Sequence, residues 1–244
     1  MKPQPYDGLI LAAGFLVAWQ LLYLLVGSDV VSSPFDTIER AAVLLQTRNF
    51  WHDAMSTGVA FGYACIIGIA GGMLLGLALG LNRFSGDVAD PILGAVYSIP
   101  KITLYPIILL IFGLSPAAKI AFGVIHGIFP VAIFTMNAVR NVAPVHRRTA
   151  KVLRLSPLST IVTVLAPAAI PEILSGVRIG IAVTLLGILI GELFASSSGI
   201  GFALIRATEL HNVTDIFALT LLLFLFAVAI NTLLHVTERR VRHV

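Results

Sequence analysis

Six largely apolar stretches of about 20 residues or more follow one another along this chain, at 8–27, 54–81, 91–113, 116–139, 173–195 and 216–236. Runs of that length match the thickness of a bilayer's hydrocarbon core, and helices satisfy their own backbone there. Charge is correspondingly scarce. Only 11% of the 244 residues are charged and 58% are hydrophobic, where a soluble domain carries about 25% charged residues. Too little charge is present to coat a soluble particle, so an ordinary soluble enzyme, a disordered tail and a secreted scaffold are excluded. Cys65 is the single cysteine, so no internal disulfide forms. The expected fold class is an all-α membrane protein with about six transmembrane helices. The run at 8–27 is too long for a signal-peptide core and reads as an uncleaved first span.

Proline interrupts the third span. Pro100 and Pro106 flank Lys101, and a broken ladder is tolerated at membrane depth only against protein or water. A broken helix near the centre of the protein is the expectation. The basic residues orient the chain. One side carries Lys2, Arg83, Lys101, Arg140, Arg147, Arg148, Lys151, Arg154, Arg239, Arg240 and Arg242; the other carries Arg40, Arg48, Lys119 and Arg206, with Arg178 inside a span. The positive-inside rule then places both termini in the cytoplasm. The net charge of +4 serves orientation, since no basic patch beside aromatics suggests nucleic acid. Gly68, Gly72, Gly76 and Gly80 recur every fourth residue, a face of small residues for close helix packing, within the subunit or against another. Residues 1–53 read as the first span plus an external segment, amphipathic from Phe35 onward, and residues 54–244 as the core.

No energy-coupling chemistry is written in the chain. None of its four lysines follows a glycine, which removes the phosphate loop, no histidine precedes a glutamate, and no serine sits in G-x-S-x-G. Glu192 is the one acid at depth, whereas a secondary transporter is expected to show inverted repeats and a coupling acid. An intramembrane enzyme lacks any catalytic constellation. ATP chemistry, if used, belongs to a partner.

The longest link between spans, 140–171, reads RNVAPVHRRTAKVLRLSPLSTIVTVLAPAAIP. Arg147, Arg148, Lys151 and Arg154 recur there at helical spacing and Pro157 ends the helix, which suits either a groove on a soluble partner or anionic headgroups. With SIPKITLYPIILLIFGLSPAAKI at 98–120, GVRIGIAVTLLGILIGELFASSSGIG at 176–201, TDIFA at 214–218 and TERRVR at 237–242, the chain resembles the permease subunits of bacterial ABC importers. The likeness is greatest to the nitrate, sulfonate, taurine and bicarbonate branch.

That resemblance implies a type I ABC importer permease fold in the bacterial inner membrane. It also implies a second permease subunit, two cytoplasmic ABC ATPase subunits that hold ATP and Mg, an external solute-binding protein, and no cofactor in this chain. The family loop carries Glu-Ala-Ala, three residues, Gly, nine residues, then Ile-x-Leu-Pro. Here Arg148, Thr149 and Ala150 take the first three positions, Arg154 the Gly, and Val164, Ala166 and Pro167 the last. Arg148 reverses a charge at the expected ATPase interface and Arg154 adds bulk there. A heterodimer with a permease bearing a regular loop is favoured over a homodimer whose ATPase supplies compensating acids. The resemblance makes Pro100, Lys101, Tyr105, His126, Asn137, Thr184 and Glu192 path residues. Four of them have a plainer role: interhelical bonding for His126 and Asn137, a partner such as Arg206 for Glu192, and inside-positive anchoring for Lys101. A small anion is the expected cargo, with a heterocyclic vitamin precursor as the alternative.

Overall fold

In the computed structural model, residues 6–143, 145, 148, 150 and 152–242 are described, and among them every regular element is a helix. They are α1 (Asp7–Val26), α2 (Pro34–Leu44), α3 (Arg48–Gly80), α4 (Arg83–Ser98), a 3₁₀ turn (Lys101–Leu104), α5 (Tyr105–Phe112) and α6 (Pro116–Arg140). After the link that follows α6 come α7 (Pro157–Thr160), a π-helical segment (Ile161–Leu165), α8 (Ala166–Ala195), α9 (Ile200–Glu209) and α10 (Val213–Arg242).

Local chemistry sets the ends of these helices. Ser33 caps α2 by accepting from the Asp36 amide with Pro34 in the first turn, and Thr47 and Asn82 cap α3 and α4 in the same way. Pro116 opens α6. Pro167 has no N–H to give the Thr163 carbonyl, and its ring crowds that oxygen, which accounts for the wider π turn just before it.

Four helices are long and apolar enough to cross a bilayer: α3, α6, the stretch Val162–Ala195 that includes α8, and α10. α4 and the segment from Lys101 to Phe112 are together long and apolar enough for a fifth, but the pair is bent by 83°. The break falls at Ser98–Lys101, where Pro100 and Pro106 predict it. α1, at 20 residues, has the length of a sixth span. It lies against the rest mainly through Trp19, which stacks on Phe217 and donates to the Ser32 carbonyl. The second span begins at Arg48, so the boundary expected at residue 54 falls inside a continuous helix.

The core is a three-helix slab with α6 in the middle, α3 on one flank and α8 on the other. The glycine ladder makes the first seam. A Cβ at Gly72 would stand 2.7 Å from the Ile128 carbonyl, at Gly76 2.5 Å from that of Ala132, and at Gly80 2.9 Å from that of Met136. Real Cβ atoms do not approach so closely, so these residues bring two backbones together within one subunit. The second seam uses Gly176, Gly180, Gly187 and Gly191 of α8, facing Phe134, Val131, His126 and Lys119. Most large apolar side chains elsewhere point outward, among them Leu74, Leu110 and Phe224, as expected where lipid replaces water. Arg178, the basic residue inside a span, donates to Asn231 of α10.

Candidate functional site

At the end of the slab where α6 begins and α8 finishes, the buried polar groups converge. Lys119 and Glu192 each lie three residues from the end of their helix, and they pair at 2.8 Å with 3% and 0% of their side chains exposed. The Lys119 ammonium also donates to Ser56 Oγ at 2.9 Å and the Ser198 carbonyl at 3.0 Å. On the other carboxylate oxygen, Glu192 accepts from Thr57 Oγ1 and the Gly201 amide. Thr57 accepts in turn from the Ile200 amide, and Asp53 accepts from Gly199. A single bonded cluster therefore fastens α3, α6, α8 and the turn before α9. Gly199 has φ +122, and a Cβ there would collide with the Glu192 carboxylate, so the turn admits only glycine.

This cluster corrects the expected partner of Glu192. Glu192 is enclosed with every acceptor position engaged and faces no open path within this chain. Its partner is Lys119, whereas Arg206 is exposed on α9. A buried carboxylate requires a buried cation at its own depth, and the matched positions of residues 119 and 192 were the available signal. Lys119, Thr57 and Ser56 carry no joint signal in the sequence, because they lie on two different helices.

Beyond the cluster, Tyr105, His126 and Thr184 of the expected path residues lie at the seam between α6 and α8. Tyr105 is buried, donates its hydroxyl to the Gly191 carbonyl at 2.7 Å, and packs on Phe122. His126 packs against Phe122 and into the notch left by Gly187. Its Nδ1 lies 2.8 Å from the Phe122 carbonyl. A carbonyl only accepts, so Nδ1 carries a proton, and this bond lies within α6 rather than between helices. Thr184 is buried against Gly127. Asn137 is half-buried near the other end of α6, and Pro100 is exposed at the break. Lys101 belongs to the break itself, not to a loop beyond the membrane. Its ammonium donates to the Tyr97 carbonyl at 2.9 Å and lies 4.3 Å from the centre of that ring.

The opposite end of the slab is open. A polar cavity of about 530 Å³ is lined by Arg83, Asp87, Arg140 and Arg148 with the ends of α3 and α6. Asp87 pairs with Arg140, which leaves the lining net cationic. Arg147, Thr149 and Lys151 lie outside the described residues, as does the side chain of Pro157. Ala150 is buried and Arg148 and Pro167 are exposed. The chain turns at Arg154, whose φ is +51. The Leu155 amide donates to the Ala150 carbonyl at 3.0 Å, the six-to-one bond of a Schellman helix stop with Arg154 in the left-handed position. Ser156 then caps α7 by accepting from the Ser159 amide. Arg154 thus keeps the backbone that a glycine would adopt at this position.

Known proteins share this architecture. Residues 68–243 match the family model described as the binding-protein-dependent transport system inner membrane component. The bicarbonate transport system permease protein CmpB of Synechococcus elongatus is 32% identical over 233 residues, covering 87% of this chain and 82% of that one. A nitrate import permease protein, NrtB of a Synechocystis species, is 29% identical over 228 residues, covering 88% and 81%. Among solved structures, a chain of the inward-facing MetNI methionine ABC transporter superposes with a TM-score of 0.62 at 20% identity, over 81% of this chain and 96% of that one. With an all-helical fold, several apolar spans and a family match across most of its length, the chain belongs to the binding-protein-dependent inner membrane components and is a multi-pass, inner-membrane permease subunit of an ABC importer.

Proposed function

We propose that this permease carries a small inorganic or organic anion, delivered from outside by a solute-binding protein. Two cytoplasmic ATPase subunits drive it, and ATP and Mg²⁺ bind those subunits rather than this chain. Both termini lie in the cytoplasm, as the distribution of arginine and lysine favours, and the link at 140–171 transmits ATPase closure to the slab. The observation that carries the substrate class is the identity, over most of the chain, with permeases named for bicarbonate and nitrate.

The arginines at 83 and 148, beside the cavity at the inner end, give this surface the sign opposite to the family's glutamate. The ATPase that meets it carries acidic side chains, or a second permease with a regular loop supplies the main contact. We favour the second arrangement, a heterodimer. Uptake by proteoliposomes holding the purified complex tests both statements. Labelled nitrate, bicarbonate or taurine should accumulate only with internal ATP and external binding protein, and accumulation without ATP would sink the importer reading. Two copies of this chain with no second permease in the complex would defeat the heterodimer.

A further inference from the structure

The two lysines of the membrane region are treated in opposite ways. Lys119 is neutralised by Glu192, whereas Lys101 pairs with no carboxylate among the described residues. Its position follows from its neighbours. Tyr105 packs on Phe122 of α6, and Lys101 opens the 3₁₀ turn that leads into Tyr105. Lys101 lies eighteen residues from Arg83 and eleven from Phe112, the two ends of the bent apolar pair. Lys101 therefore stands at the bend in the interior of that segment, away from either end.

Its surroundings are open. Ile99 and Ile102, on either side, are 45% and 39% exposed, and the backbone is extended at Ile99 and Pro100 before the 3₁₀ turn begins at Lys101. Irregular backbone at this depth persists only where another subunit covers it or water reaches it, so the break faces the assembly's interior rather than lipid. One ammonium hydrogen goes to the Tyr97 carbonyl, and the Tyr97 ring covers another side. An ammonium has three donors, so at least one remains directed away from this helix. A cation inside a membrane span is expensive and is retained where it serves a substrate or ion pathway.

We propose that Lys101 is the way-station for the transported anion, holding it at the bend by a charge-assisted hydrogen bond while the subunits exchange inward and outward access. This rests on the anion reading above. Lys101→Met keeps the length of the side chain and removes its charge, and Lys101→Arg keeps the charge. In proteoliposomes with the full complex and its binding protein, Lys101→Met should lower uptake of labelled nitrate, bicarbonate or taurine about ten- to a hundredfold, the weight of one charged hydrogen bond. The complex should still co-purify, and Lys101→Arg should retain most of the uptake. Wild-type uptake by the Lys101→Met complex would overturn the proposal. So would loss of assembly in both variants, which would make Lys101 a cap for α4. A wild-type complex that imports its binding protein's ligand but none of these anions would instead defeat the anion reading, and the proposal with it.

Discussion

The two ends of the slab solve the same problem differently. At one end Lys119, Glu192, Thr57 and Ser56 bury their polar atoms and satisfy one another and the turn before α9, tying three helices together. At the other end Arg83 and Arg148 line a polar cavity of about 530 Å³, and Arg154 holds a backbone conformation that costs energy. One end is complete within the chain. The other presents unspent charge and a strained turn, which is what a docking surface for a separate protein requires.

The most severe test of the closed end is to remove one partner of its ion pair. Glu192→Leu or Lys119→Met alone should cost about 3–5 kcal/mol, because each leaves a buried charge uncompensated. The double variant should recover much of that loss, as read by thermal denaturation of the detergent-solubilised subunit. Additive losses would mean the two groups act independently. A second test separates packing from polarity. Gly76→Ala drives a methyl into the Ala132 carbonyl and should cost about 1–3 kcal/mol. Gly62→Ala, with nothing within 4 Å, should leave the melting point unchanged or slightly raised.

The open end responds more weakly. Arg154→Gly should stabilise by about 1 kcal/mol by relieving a left-handed side-chain residue, while Arg154→Val should lower stability, and the order of the three melting points checks it. If Arg154→Gly destabilises, the side chain makes a contact that outweighs the strain. Smallest of all is the pair of Arg40 with Asp215, which ties α2 to α10. The bond to Asp215 raises the Arg40 guanidinium above its already high ordinary value, so it stays charged across the neutral range. Arg40→Gln should cost under about 1 kcal/mol and less at high salt.

How far the sequence reveals this depends on the range of the interaction. Helices and their order follow from apolar length, and the break in the third span follows from Pro100 and Pro106. The glycine ladder predicts a close-packed face, because spacing along one helix is local information. What the ladder packs against is not local, and only the structure turns it toward α6. Glu192 with Lys119 is harder still: the partners are 73 residues apart, and the sequence offers several cations of equal merit. Arg154 illustrates the reverse difficulty. Arginine carries no turn signal of its own, so its left-handed backbone was visible only as a departure from the family's glycine.

The two glycine seams have a mechanical consequence. Carbonyls of α6 sit in notches on α3, and α8 meets α6 with its own small residues, so sliding one helix along another would drive atoms into overlap at every step. α3, α6 and α8 therefore behave as a single stiff lever, about 37 Å long by the rise of the 25 residues of α6. A tilt imposed at the arginine-rich end must arrive undiminished at Lys119 and Glu192. Flexibility is left to the bent α4–α5 element and the lipid-facing α1 and α10, whose contacts with the lever are few.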